Sequence, residues 1–167
     1  ISNYDGETLE QAAKILDELK VPFIINQNRY SIFDRTIENN GLKDMAGKLK
    51  KGIISFSPLA QGLLSDRYLN GIPSDSRVAT DGRFLNENNL TEKKLEAIKK
   101  LNDIAKERNQ SLAQMALSWV LKEDVMTSVL IGASKPSQVL DNIAAIENTS
   151  FSEEELKKID ETVKAYE

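Results

Sequence analysis

Three short apolar runs punctuate the chain, and between them apolar residues recur three and four positions apart. The runs at 21–26 ("VPFIIN"), 52–56 ("GIISF") and 127–131 ("TSVLI") are β-branched or aromatic and bounded by turn residues. That is the pattern of strands buried on both faces of a parallel sheet. "ISN" at 1–3 reads as the tail of a fourth strand. The intervening stretches predict helices over 7–19, 40–50, 91–107, 112–122, 138–147 and 153–165. In the first, Leu9, Ala12, Ala13, Leu16 and Leu19 share one stripe; in the third, Leu95, Ile98, Leu101, Ile104 and Ala105 do. Ser111 with Gln114, and Ser152 with Glu155, form capping-box patterns in front of two of these helices.

The order β-α-β-α-β-loop-α-α-β-α-α predicts an α/β fold with parallel strands and right-handed crossovers, in one domain over 1–167. No internal repeat or low-complexity linker interrupts it. The periodicity lapses only over 64–90, where Gly, Pro, Ser, Asn and Asp dominate. Connections of that length are uncommon in compact domains and tend to be functional lids. The stretch is expected to be a long loop carrying Arg67, Arg77 and Arg83 over a site.

Composition narrows the classes. A hydrophobic fraction of 40% supports a packed core. The net charge of −4, from 22 basic and 26 acidic residues, gives no electrostatic case for a nucleic acid or an anionic membrane as partner. No apolar run approaches the ~20 residues a membrane-spanning helix needs, so membrane insertion is not expected. Cysteine is absent, which excludes disulfides and thiolate metal sites and favours a cytoplasmic setting. Histidine is absent as well, which removes the commonest general acid–base and the commonest metal ligand. The first residue is Ile1, so the natural start is expected to lie elsewhere.

In parallel sheets, ligands sit at the carboxyl ends of the strands. Here those ends are polar and mutually complementary. Ser134 and Lys135 precede a helix expected to start near Ser137, and a helix amino terminus favours an anion. Gly132 admits close backbone approach. In "SPLAQG", Pro58 fixes a turn and Gly62 opens it, leaving backbone donors suited to a pyrophosphate. Ser2, Asn3 and Gln27 supply the donors and acceptors that a carboxamide needs. Phe56 supplies a flat apolar face for a ring. Carboxamide, ring, pyrophosphate and an extra phosphate together describe NADPH.

The motifs "ISNYD", "INQNRYS", "ISFSPLAQGLLSDRY", "GIPSDSR" and "IGASKPSQVLDNIAAI", in this order, resemble the aldo-keto reductase family. The style is most similar to the bacterial and potassium-channel β-subunit branch. The resemblance implies a (β/α)8 TIM barrel of which this chain is the C-terminal half, strands five to eight with their helices. It implies NADP(H) as cofactor and an aldehyde or ketone as small-molecule substrate. Ser2, Asn3 and Gln27 would hold the nicotinamide carboxamide, and Phe56 would stack on the ring. Ser57, Pro58, Leu59, Ala60, Gly62 and Arg67 would cradle the pyrophosphate, with Arg77 in the flap above. Gly132, Ser134 and Lys135 would take the 2′-phosphate, and Gln138, Asp141 and Asn142 the adenosine.

The family's catalytic Asp, Tyr, Lys and His lie on its first four strands, before this chain would begin. Tyr4, Tyr30, Tyr68 and Tyr166 match none of those positions, so no catalytic residue is assigned. The expected partners follow from this: a missing N-terminal half, or self-association through the open sheet edges. This chain alone is expected to be inactive. Two further readings are a non-catalytic NADPH-binding regulatory subunit similar to the channel β-subunits, and an unrelated flavodoxin-like doubly wound domain.

Overall fold

The computed structural model describes residues 1–73 and 90–165. Its centre is a parallel sheet of three strands in the order β1 (Ile25–Arg29), β2 (Gly52–Phe56), β3 (Met126–Val129). The first residues add one parallel bridge, Ser2 to Gln27, on the far side of β1. Gln27 N donates to Ile1 O at 3.0 Å and Asn3 N donates to Gln27 O at 2.9 Å. The expected fourth strand is thus a single bridge.

The helices are α1 (Gly6–Glu18), α2 (Thr36–Asn39), α3 (Leu42–Lys48), α4 (Glu92–Glu107), α5 (Leu112–Val120), α6 (Pro136–Ile143) and α7 (Glu153–Lys164). Both expected capping boxes are present, at Ser111–Gln114 and Ser152–Glu155. Among the described residues no helix is long and apolar enough to cross a membrane.

Three boundaries differ from the sequence pattern, each for a local reason. The run at 21–26 does not pair until Ile25. Val21 N still bonds back to Leu16 O at 2.8 Å, and Pro22 has no N–H to give a ladder. Val21 and Ile24 are left exposed, and the strand instead continues through the polar Asn26–Asn28. The helix expected over 40–50 begins only at Leu42, after Gly41, whose φ of 76° only glycine adopts easily. The turn at Gly41 lets α1 and α3 approach: Gly6 N donates to Asn40 O at 3.0 Å, and a Cβ on Gly6 would fall 2.6 Å from Gly41 O. β3 ends at Val129, although Leu130 N still donates to Ser55 O at 2.8 Å.

The head of the loop expected from 64 onward lies among the described residues. Leu64 and Tyr68 are buried in the core, and 66–68 form a 3-10 turn, so this part is packed structure. Arg77 and Arg83 of the expected flap, and Tyr166, lie outside the described residues.

One face of the sheet packs against helices, with Ile53, Leu101, Met115 and Trp119 in the core. The other face, carrying Gln27, Ile54 and Phe56, is half-buried. On the flanks, α6 and the 3-10 turn after it leave Leu140, Ile143 and Ile146 exposed, and α1 leaves Ile15 and Leu19 exposed.

Two polar clusters lock helices together. The Arg108 guanidinium, 3% exposed, reaches Glu155 at 2.6 Å and the carbonyls of Asn148 and Ser150 at 3.2 and 3.0 Å. It also stacks 3.7 Å from the centroid of Phe151. In the second cluster Tyr30 donates its hydroxyl to Glu38, and Lys122 donates to Tyr30 Oη at 3.2 Å. Lys43 bridges Glu38 (3.7 Å) and Glu123 (2.8 Å), and Lys122 lies 3.3 Å from Glu123. The Lys122 ammonium also sits 3.7 Å from the centroid of the Trp119 ring. Burial, then the like charge of Lys43, brings the Lys122 pKa down to about 8. Burial, then the hydrogen bond to Glu38, pushes the Tyr30 hydroxyl well above its ordinary value.

Candidate functional site

The segments leaving β2 and β3 form the two walls of one cleft. After Phe56 the chain turns sharply. Ser57 (φ 54°), Ala60 (48°), Gln61 (61°) and Gly62 (97°) all adopt left-handed backbone. Three of these are not glycine, and each such residue costs on the order of 1 kcal/mol. The turn is held by Ala60 N donating to Ser57 O (2.9 Å), Gly62 N to Leu59 O (2.9 Å) and Gln61 Nε2 to Ser57 Oγ (3.0 Å). Strained backbone of this kind clusters where ligands are clamped. Opposite it, the chain leaves β3, passes through Gly132 and enters α6 at Pro136, the favoured first helical residue.

The cleft encloses about 1010 Å³. From the β2 side it is bordered by Ser57, Pro58, Leu59, Gly62 and Arg67. From the β3 side come Gly132, Ser134, Lys135, Gln138, Asp141 and Asn142. These are the groups that the sequence assigns to pyrophosphate, 2′-phosphate and adenosine, and they do meet.

The remaining assigned residues lie elsewhere. Ala60 packs against the core and does not border the cleft. The Ser2 hydroxyl donates to Gln27 O at 3.0 Å, so it serves the backbone and does not stand open as a carboxamide donor. Gln27 and Phe56 do not border the cleft, but alternation along β1 and β2 puts both on the half-buried sheet face, with Phe56 adjoining Ser57. Asn3, left-handed at φ 60°, follows the Ser2 bridge outside the cleft.

Within the cleft two side chains are engaged otherwise than the sequence suggests. Asp141 accepts from Ser111 Oγ at 3.0 Å and from Gln114 Nε2 at 2.8 Å. Its carboxylate therefore braces α6 against the amino end of α5. Gln138 turns back on its own loop: its Oε1 accepts from Ser134 N (2.8 Å), Ser134 Oγ (3.2 Å) and Lys135 N (3.2 Å).

Asn142 is the opposite case. It is 7% exposed, borders the cleft, and its amide has no hydrogen-bond partner among the described residues. The fully buried side-chain atoms without partners among the described residues belong to Asn26, Arg35 and Trp119 and not to Asn142, so its amide keeps access to the cleft, where it offers both a donor and an acceptor to a ligand. The donor set along the β3 wall, backbone N–H groups with the Lys135 ammonium, suits phosphate oxygens. The chemistry of the residues present therefore fits a phosphorylated nucleotide.

Sequence reasoning missed Gln61, Ser65, Asp66 and Ala113, which also border the cleft. Gln61 and Ser65 sit in or beside the "SPLAQG" motif, where side-chain closure of the turn is a readable signal: Ser65 Oγ donates to Gly62 O at 2.6 Å. Ala113 is brought in by helix packing, which leaves no local signature.

A second hollow of about 720 Å³ lies at the amino ends of the strands, between α1 and α3, lined by Leu16, Val21, Phe23, Met45 and Leu49. None of the assigned residues borders it.

The sequence model described as the Aldo/keto reductase family matches residues 1–164. The chain is 45% identical, over 166 residues, to the L-glyceraldehyde 3-phosphate reductase of Escherichia coli K12, covering 98% of this chain and 48% of that protein. The protein of the same description in Escherichia coli O157:H7 gives the same figures. Among solved structures, a thermostable aldo-keto reductase in complex with the inhibitor epalrestat superposes with a TM-score of 0.68 at 25% identity, covering 96% of this chain and 46% of that one. The chain thus spans about half the length of the relatives it matches.

Proposed function

The chain belongs to the aldo/keto reductase family, and on that premise we propose that it is the cofactor-binding portion of an NADP(H)-dependent carbonyl reductase. In this reading its strands are the later strands of a (β/α)8 barrel, and the residues that act on the carbonyl lie outside this chain. The absence of histidine and the roughly half-length coverage of the relatives support that division. The substrate class is an aldehyde or ketone. The name of the Escherichia coli relative, a reductase of a small phosphorylated aldehyde, favours the aldehyde.

One observation carries the proposal: two strand-end loops and one helix amino terminus line a single cleft, which the side chain of Asn142 also borders. When bound, the nicotinamide supplies the hydride. The residues here bind and orient. The turn at 57–62 offers backbone donors to the pyrophosphate, with Arg67 beside it. Ser134 and Lys135 take the 2′-phosphate, and Asn142 meets the adenine edge. Phe56 and Gln27, on the shared sheet face, are the residues assigned in this reading to the ring and the carboxamide. Asp141 acts through the brace to Ser111 and Gln114, holding α6 at its angle to the cleft.

Titrating the protein with NADPH while following nucleotide fluorescence tests the reading. Saturable binding that weakens about tenfold in Lys135→Ala is expected, in line with a charge-assisted phosphate contact. Absence of binding overturns the proposal. An NADPH-oxidation assay with simple aldehydes on residues 1–167 alone is expected to show no turnover; clear turnover would place the catalytic groups inside this chain.

A further inference from the structure

At the carboxyl end of β1 the sheet presents a cation. Arg29 closes that strand two residues after Gln27, so alternation puts both on the same sheet face. Its register partner on β2 is Phe56, and the guanidinium carbon lies 5.8 Å from the centroid of that ring. Gln27, Arg29 and Phe56 therefore form one contiguous patch, which ends beside Ser57 at the border of the cleft.

What this arginine lacks is an acceptor. No hydrogen bond engages its side chain among the described residues, and the side chain is 59% exposed, open to a molecule arriving from solvent. Its one ion partner, Asp34, stands at 3.9 Å, beyond hydrogen-bond range. The other oxygen of that carboxylate is committed to Thr36, through N at 3.2 Å and Oγ1 at 2.8 Å. Asp34 thus offsets part of the charge and takes none of the N–H groups. Other arginines are spent on the fold: Arg35 meets Asp160 at 2.7 Å, and Arg108 meets Glu155 at 2.6 Å. A planar guanidinium with its fork unused matches the paired oxygens of a phosphate or a carboxylate.

We propose that Arg29 is a specificity-determining residue for the carbonyl substrate, and that it seats the oxyanion of a short aldehyde bearing a phosphate or a carboxylate. This rests on the NADP(H) reading given above, in which Phe56 faces the nicotinamide ring. A carbonyl that takes hydride from that ring approaches the patch that Arg29 borders. Because the cation and the aromatic platform are neighbours across one strand pair, the spacer between carbonyl and anion is short. A neutral aldehyde gains nothing from the guanidinium. The discrimination therefore falls on substrate binding and leaves the hydride step alone.

The test compares the intact parent protein with Arg29→Ala and Arg29→Lys, with circular dichroism confirming the fold of each. NADPH oxidation is followed with glyceraldehyde, glyceraldehyde 3-phosphate and succinic semialdehyde, and the Kd for NADPH is measured by nucleotide fluorescence. Arg29→Ala is expected to raise KM for at least one of the two anionic aldehydes by about 10-fold to 100-fold, the scale of a lost charge-assisted fork. Its kcat, the KM for glyceraldehyde and the Kd for NADPH are expected to stay unchanged. Arg29→Lys is expected to recover only part of the loss, since an ammonium is a point charge. Added salt is expected to raise the anionic KM in the parent and not in Arg29→Ala. The aldehyde that loses more shows which oxyanion is seated.

An equal loss for glyceraldehyde and the anionic aldehydes overturns the role of Arg29 and leaves the cofactor reading standing. So does a loss confined to the Kd for NADPH, which would make Arg29 a cofactor contact, and so does an Arg29→Ala enzyme identical to the parent. A parent that binds no NADPH and reduces none of the three aldehydes overturns the NADP(H) reading, and the proposal falls with it.

Discussion

Single side chains carry the sharpest consequences. Lys122 is held among Tyr30, Glu123 and the face of Trp119, with its pKa lowered to about 8 chiefly by burial. In the unfolded chain the same group titrates near 10.4. Between those values the unfolded state binds more protons than the folded one, so this group makes stability rise with pH. Urea unfolding from pH 7.5 to 10 is expected to show a gain on the order of 1–3 kcal/mol that Lys122→Met abolishes. A parent profile that is flat or falling relative to the variant would contradict this assignment. Above that range Tyr30 opposes the trend, since its hydroxyl keeps its proton in the fold and loses it in the unfolded chain. Asn142 makes the complementary case for function. Asn142→Leu keeps the shape but removes a donor and an acceptor that border the cleft, so it is expected to weaken NADPH binding while leaving the unfolding free energy nearly unchanged. Melting curves and nucleotide titration on one sample check both halves.

Between elements, the decisive contacts are few and long-range. Arg108 gathers the end of α4, the segment at 148–150 and the start of α7 through one planar fork. Arg108→Ala removes the donor to four acceptors, Gln110 Oε1, Glu155 and the carbonyls of Asn148 and Ser150, and is expected to cost about 3–5 kcal/mol. Arg108→Lys recovers little of it, because an ammonium cannot serve the same fork and stack on Phe151 together. Chemical denaturation of the three proteins gives the comparison. None of this was readable from periodicity, because Arg108 and Glu155 lie 47 positions apart. What periodicity did reach were the helices with capping chemistry at their starts, such as Ser111–Gln114 and Ser152–Glu155, where the signal is local. It failed where tertiary pairing overrode hydrophobicity. The strand is Ile25–Arg29 and not 21–26, because Pro22 cannot join a ladder and because Asn28 finds Tyr4 O at 2.8 Å inside the fold. The late start of α3, after Gly41, was likewise hidden, since Gly6 approaches that turn from another helix.

For the molecule as a whole, the two loops that make the cleft were legible because each carries its own chemistry: a Pro–Gly turn after one strand and a Ser–Lys pair before a helix after another. Their convergence on one hollow follows from β2 and β3 being sheet neighbours, which a linear pattern does not contain. The flanks are the other whole-molecule feature. Leu140, Ile143 and Ile146 on one side and Ile15 and Leu19 on the other face solvent. Exposed rows of this kind mark surfaces that normally meet another body. Residues 1–167 alone are therefore expected to associate, and sedimentation velocity on the chain and on a Leu140→Lys, Ile143→Lys double variant should show the association weaken in the variant. The cluster around Lys122 has a last, practical consequence. Trp119 is the chain's sole indole, so its emission arises at one place only, with an ammonium 3.7 Å from its ring. The protein thus carries an intrinsic optical reporter: its glow, unlabelled, should change colour or brightness as that lysine lets go of its proton.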